Sequence, residues 1–400
     1  MMLCCPNSEG GQVHAVGAVQ ALAAWTFIMI NFDNSATSFP KPLRVREAVN
    51  EAVSRYGGNP GRSGHALSML AAQKIYSVRK LAAGMFGAEP ENVAFTVNCT
   101  FALNFAIKGI MQFGGHIIIS DHEHNAVARP VYALSQYRGV TYSIAKVTDD
   151  PDETVRNFEN LIRRDTKCIC CCAASNVTGR ILPYKKIAQL CNERGICFIT
   201  DCSQAAGLLD ISLSDGMNFI CTSGHKALYG PTGTGLLITD GKFPLSTVIE
   251  GGTGTSSALL EQPQEMPERM ESGTVNTVGI IGLGEGLDFV RNHTPEKLIT
   301  YEHKLCDRLI GQISRSDKIR IYRSDAPYVP IVSFNVGKED SRAVAGKLSD
   351  MGFALRGGLH CAALTHNAIG TLEQGTVRFS PSAFNDRKQT DMLAKAILSL

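Results

Sequence analysis

Six short strand-like runs most constrain how this chain can fold. They lie near 93–96, 116–120, 140–144, 167–172, 196–200 and 218–221, and helical stretches such as 126–138, 152–163 and 183–194 separate them. Runs as continuously apolar as Ile196-Cys197-Phe198-Ile199-Thr200 suit strands buried on both faces. Strands alternating with helices predict an α/β fold, a mostly parallel sheet covered by helices on both sides. At 400 residues the chain exceeds what one hydrophobic core fills, so a large and a small domain are expected. The large domain is placed at 46–286. The small α+β domain is assembled from 29–45 and 287–400, where a charged helical stretch from about Leu287, the run Ile331-Val332-Ser333-Phe334-Asn335 and the segment Ala343 to Leu348 supply its elements.

Residues 1–28 stand apart. The apolar stretch from Val16 to Ile30 has no lysine or arginine before it and falls short of a membrane span, and Trp25, the only tryptophan, lies within it. The segment is read first as an extension created by a mis-set start, with Met29 the natural beginning, and second as a cryptic signal or anchor. The net charge of +2 and the even mixing of signs offer no basic stripe for nucleic acid. Thirteen cysteines, an odd count without disulfide spacing, indicate a reducing compartment and hence a cytoplasmic location. Cys168-Ile169-Cys170-Cys171-Cys172 contains a C-x-x-C spacing, yet it reads as a buried strand and no metal site is assigned to it.

The chemistry centres on Lys226, in Ser223-Gly224-His225-Lys226, which follows the apolar run Asn218-Phe219-Ile220-Cys221 and precedes a glycine-rich turn. A lysine whose pKa is lowered by burial or cationic neighbours forms imines with carbonyl cofactors, of which pyridoxal 5′-phosphate is the obvious one. Asp201 ends another strand, where open α/β sheets bind ligands, and an acid there can hold a pyridinium nitrogen; a helix-capping role fits it as well. Cys99 and Thr100 open the helical stretch after Val93-Ala94-Phe95-Thr96, a place for a phosphate, although an N-cap explains Thr100 equally. His124, in Asp121-His122-Glu123-His124-Asn125, can stack on a ring and shuttle protons, or serve structure alone.

Taken in order, these features resemble the class V aminotransferase-like enzymes of fold type I, and within them the Suf-type (group II) cysteine desulfurases and selenocysteine lyases. The resemblance runs from Phe32-Asp33-Asn34-Ser35-Ala36-Thr37 to Arg378-Phe379-Ser380-Pro381. It is carried by Asn59-Pro60-Gly61-Arg62-Ser63-Gly64-His65, Glu123-His124-Asn125, Ser175-Asn176-Val177-Thr178-Gly179, Asp201-Cys202-Ser203-Gln204, the lysine motif and Glu271-Ser272-Gly273-Thr274-Val275-Asn276. It implies a large domain with a mostly parallel seven-stranded sheet. Lys226 would bind the cofactor covalently, Asp201 its ring nitrogen and Gln204 its phenolate oxygen. His124 would stack on the ring, while Cys99 and Thr100 with Ser223 and His225 would line the phosphate site. Thr274 would reach the phosphate of a neighbouring subunit, which makes a homodimer. Ala36, Asn176, Arg356 and Arg378 would face the substrate, Arg378 clamping its carboxylate.

The segment Arg356-Gly357-Gly358-Leu359-His360-Cys361-Ala362 resembles the one bearing the desulfurase nucleophile. A thiolate at Cys361 would take sulfur from L-cysteine, leaving L-alanine and an enzyme persulfide, with His360 and Arg356 as neighbours that lower its pKa; alternatively Cys361 is one more small buried residue. Its place five residues after Arg356 favours the short Suf-type loop, slow direct sulfur release, and a dedicated sulfur-acceptor protein, as in iron-sulfur cluster assembly. Cys99 where threonine or alanine is commoner and Val275 in place of proline depart from the pattern. A selenocysteine lyase, another class V aminotransferase or lyase, and a non-catalytic scaffold are the alternatives. No nucleic acid and no membrane partner is expected.

Overall fold

The computed structural model describes residues 29–61 and 64–400, so the expectation for 1–28, and Arg62 and Ser63 of the Asn59 motif, lie outside it. After a short β1 (Ile30–Asn31), the chain forms α1 (Leu43–Arg55) and α2 (Ala66–Phe86) and then enters its main sheet. That sheet contains β2 (Val93–Thr96), β3 (Gly115–Ser120), β4 (Val140–Ala145), β5 (Thr166–Cys172), β6 (Cys197–Asp201), β7 (Phe219–Ser223) and β8 (Gly235–Thr239). Their spatial order is β2-β8-β7-β6-β5-β3-β4, and only β8 runs against the rest.

The six strands read from sequence recur with ends shifted by no more than two residues. β8 was not read as a strand, because the turn signal of Gly230-Pro231-Thr232-Gly233 runs straight into it. A connection this short cannot cross over to make a parallel neighbour, so β8 folds back antiparallel on β7.

Side chains of β5 alternate between two cores: Ile169 and Cys171 enter the one on which α2 and α6 (Tyr184–Arg194) pack, Cys168 and Cys170 the one under α3 (Cys99–Ile110) and α4 (Asn125–Tyr137). Burial on both faces accounts for the unbroken apolar runs. The helix α5 (Pro151–Glu159) adds Phe158 to the first core, and α7 (Thr277–His293) packs on α1 and α2. The expected domain division at 286 and 287 falls inside α7, and that at 45 and 46 inside α1.

The remainder builds around a four-stranded antiparallel sheet of order β12-β13-β10-β9, from β9 (Ile319–Ile321), β10 (Val332–Val336), β12 (Arg356–Gly358) and β13 (Thr376–Phe379). A short β11 (Phe353–Ala354) pairs with β1, which brings Phe32 into a core with Phe379, ring centroids 4.8 Å apart. Helices α8 (Pro295–Ile313), α9 (Ser341–Asp350) and α11 (Arg387–Leu398) cover this core, while the short α10 (Ala363–Ala368) follows Cys361. No helix among the described residues is long and apolar enough to cross a membrane.

Candidate active site

The carboxyl ends of β3, β5, β6 and β7 open into one cavity, where a parallel sheet places its ligands. Its lining includes Cys99, Thr100, His124, Asn176, Asp201, Gln204, Ser223 and Lys226, which the fold collects from segments far apart in sequence. Gly235 permits the close seating of α3: a Cβ there would come within 2.6 Å of the Asn98 backbone.

Asn98 is the N-cap of α3, its side chain accepting from Phe101 N at 3.1 Å. Thr100 is therefore inside the first turn and not the cap, which leaves its N–H and hydroxyl free of that duty. Asp201 does not cap a helix either, since turns follow β6. Its Oδ1 accepts from Ser203 N at 2.9 Å and from the Cys99 thiol at 3.4 Å. Burial drives the Cys99 thiol well above its ordinary value, so it stays a neutral S–H donor to that carboxylate.

Glu123, unremarked as a functional group in the sequence, ties the ends of β3 and β5 together. Its buried carboxyl accepts from the Ser120 hydroxyl and, at 3.0 Å, from Cys172 N. Burial raises its pKa to about 8. The next residue, His124, is thereby set at the N-terminus of α4, where Nδ1 accepts from Ala126 N at 3.0 Å. That bond puts any proton of the neutral ring on Nε2. Burial, then the charge of Lys226, lower its pKa.

The lysine loop is held from beneath. Ser38 N donates to His225 O at 3.0 Å, Ser38 Oγ donates to Lys226 O at 2.9 Å, and Lys41 Nζ donates to His225 O at 2.8 Å. The Lys226 side chain makes no hydrogen bond or ion pair with any described residue, and burial lowers its pKa. Burial lowers the His225 pKa to about 4, which keeps that ring neutral. Gln204 spends one amide hydrogen on Ser35 O at 3.1 Å, next to Ala36.

Arg378 on β13 is 1% exposed. Its Nη2 donates to Asp33 Oδ1 at 2.8 Å and its Nη1 to Asn176 O at 3.0 Å, while Nε has no partner. Asp33 is thus the carboxylate that pairs with it. Arg356 lies directly opposite Arg378 in the β12–β13 register. Like charges facing each other across strands destabilise the pair unless an anion lies between. Arg356 Nη2 also donates to Cys361 Sγ at 3.5 Å, and Cys361 is the only exposed cysteine among the described residues. His360 does not act as a cation for this thiol, contrary to the expectation from sequence. It is buried, its Nε2 donates to Thr376 O at 2.9 Å, and burial lowers its pKa to about 2.

Thr274 is not gathered into the Lys226 cavity. It lines a separate, largely apolar hollow with Phe101 and Ile249, and its hydroxyl accepts from Asn59 Nδ2 at 3.2 Å. Asp33, Asn125 and Glu123 were missed as site groups, although all three sit in motifs quoted from the sequence. Their partners Arg378, Cys361 and Cys172 are remote in sequence, although Ser120, which also bonds Glu123, is local.

The donor set suits a phosphorylated pyridine aldehyde. A carboxylate, a lysine of lowered pKa and a helix N-terminus converge on the cavity, and buried Asn176 Oδ1 lacks any partner there.

The sequence model of class-V aminotransferases matches residues 30–393. A probable cysteine desulfurase of Pyrococcus abyssi is 31% identical, covering 91% of this chain and 92% of that protein. One from Methanothermobacter thermautotrophicus is 28% identical over 91% of this chain and 93% of its own length. Among solved structures, the apo cysteine desulfurase of Thermococcus onnurineus NA1 superposes with a TM-score of 0.86 at 28% identity, over 94% of this chain and 96% of that one. With its central sheet, its lysine loop and its cleft accounted for, the chain belongs to the class-V aminotransferase family.

Proposed function

We propose that this chain is a pyridoxal 5′-phosphate-dependent cysteine desulfurase of the Suf type, a cytoplasmic homodimer that passes sulfur to an acceptor protein. The observation that carries the reading is Cys361: an exposed thiol beside the Arg356 guanidinium, with its backbone carbonyl accepting from Asn125 N at 2.7 Å, next to His124 of the Lys226 cavity. The relatives named above support the same reading. An aminotransferase has no use for a thiol at that point.

Lys226 would hold the cofactor, Asp201 its ring nitrogen, and Thr100, Ser223 and His225 its phosphate, with Thr274 reaching the phosphate of the neighbouring subunit. Bound there, the cofactor withdraws electrons from the carbons of an attached amino acid. Arg378 and Arg356 orient the substrate carboxylate. His124, kept neutral by its lowered pKa, presents Nε2–H to the cavity as the donor of a proton or hydrogen bond. The Cys361 sulfur attacks the substrate sulfur; an S–S bond forms as the C–S bond breaks, and the C–S pair stays on the β-carbon and takes a proton. L-Alanine and a Cys361 persulfide result, with atoms balanced. The cleft between the unit at 46–286 and that formed by 29–45 and 287–400 is where these groups meet.

Supplying the cofactor-loaded protein with L-cysteine and a thiol reductant should yield alanine and sulfide in equal amounts. Cys361→Ser should keep the visible cofactor absorbance and lose about 100-fold or more of sulfide release, because a hydroxyl is a poor nucleophile toward sulfur. Amino transfer to a 2-oxo acid at an undiminished rate in Cys361→Ser, without sulfide from the wild type, would establish an aminotransferase instead.

A further inference from the structure

His360 and Cys361 both adopt a left-handed backbone, with φ of +49° and +57°. Residues with side chains avoid that region, and two in succession persist only where surrounding contacts over-determine them. The contacts come from the opposite side of the cleft. Asn176 Nδ2 donates to His360 O at 2.8 Å, and Asn125 N donates to Cys361 O at 2.7 Å. Asn125 is the first residue of α4, so its N–H is one of the four that a helix leaves without an internal partner. The Cys361 carbonyl satisfies it. The peptide carbonyl of Asn176 meanwhile accepts from Arg378 at 3.0 Å. One residue therefore registers both the thiol-bearing loop and the guanidinium beside it.

We propose that Asn125 and Asn176 are positioning residues for sulfur transfer, locking the left-handed His360–Cys361 pair against the cofactor cavity so that the thiol stands within reach of the substrate sulfur. This rests on the desulfurase reading above. With the two bonds broken, the pair relaxes toward ordinary φ values and the thiol leaves its station. The sulfur-transfer rate then falls, whereas substrate binding through the arginines does not depend on the Asn125 bond at all.

Two substitutions separate these effects. Asn125→Pro deletes the backbone N–H together with a side-chain amide that makes no hydrogen bond to a described residue, and proline is accommodated at the first position of a helix. The preceding His124, at φ −69° and ψ 154°, already has the extended conformation that proline requires of its neighbour. Asn176→Ala deletes the side-chain donor and keeps the carbonyl that Arg378 uses. On cofactor-loaded, full-length protein, amide hydrogen exchange across 357–363, kcat and KM for L-cysteine, and cofactor absorbance would be measured for both.

Exchange should accelerate in both variants and kcat should fall by about 10–100-fold, the usual consequence of a small misplacement of a reacting group. In Asn125→Pro the absorbance should be unchanged and KM should stay within about threefold, the signature of an interaction used only in the transition state. Faster exchange with undiminished kcat overturns the proposal, as does exchange that does not change. If the wild type forms no alanine from L-cysteine, the desulfurase reading fails, while the exchange data still decide whether these bonds hold the loop. If Asn125→Pro does not fold, Asn176→Ala is judged on exchange and kcat alone.

Discussion

Arg378 combines two duties that conflict in a single side chain. It is sealed from solvent and paired to Asp33, yet its Nε stays unpartnered and it faces Arg356 across the strand register. Desolvation lowers the pKa of its guanidinium, with Asp33 acting the other way. A substrate carboxylate would meet the remaining donor capacity. Arg378→Lys keeps a charge for Asp33 and loses the planar fork, so KM for L-cysteine should rise by about 10–100-fold, or ~1.4–2.7 kcal/mol. Cysteamine, which lacks the carboxylate, should be turned over equally by wild type and variant. Equal losses for both substrates would mean that the arginine serves the fold only. Lys226, Asp201 and Cys361 were legible as candidates in short motifs, since strand ends and glycine turns are local. Whether a histidine is charged is not local: His360 sits beside a thiol in sequence and is neutral because of what buries it.

Among elements, the loop carrying Thr274 depends on an anchor at the edge of the main sheet. Glu271 takes both Arg79 nitrogens of α2, at 2.7 and 2.9 Å, and Phe95 N of β2 at 2.7 Å, while the guanidinium lies 4.7 Å from the Phe95 ring centre. Both side chains are about nine-tenths buried. Removing one partner of such a pair strands a buried charge, so Glu271→Ala should lower stability by about 3–5 kcal/mol in denaturant unfolding. A loss below about 1 kcal/mol would show that water reaches Arg79. Helices and strands at this scale were largely readable from apolar runs and their lengths. Within the main sheet β8 was the exception, hidden by its own turn, and its place at the sheet's interior came from pairing with both β7 and β2.

Across the whole molecule, the lysine loop is joined to both the helix α8 and the segment before α11 through one buried carboxyl. Tyr229 donates its hydroxyl to Glu302 at 3.3 Å and accepts from Ala383 N at 3.1 Å. Burial raises the Glu302 pKa from 4.5 to about 8, so the folded state holds a proton that the unfolded chain gives up. That contribution to stability is complete below the unfolded value and is lost as pH rises toward 8. Wild type should therefore lose about 2–4 kcal/mol more than Glu302→Gln between pH 5 and pH 8 in urea unfolding. Parallel pH profiles for the two proteins would remove Glu302 from this role.

The sequence by itself determined the layered α/β sheet, the lysine at a strand end and the acid on the neighbouring strand. These follow from burial on two faces and from turn chemistry, both of which act over a few residues. Only the tertiary structure decided that Arg378 pairs with Asp33, 345 residues away, and that Asn176 bonds His360, 184 residues away. It also decided that His360 and Cys361 hold a left-handed backbone. Such features come from long-range packing and from the removal of water, and neither leaves a trace in the spacing of residues along the chain.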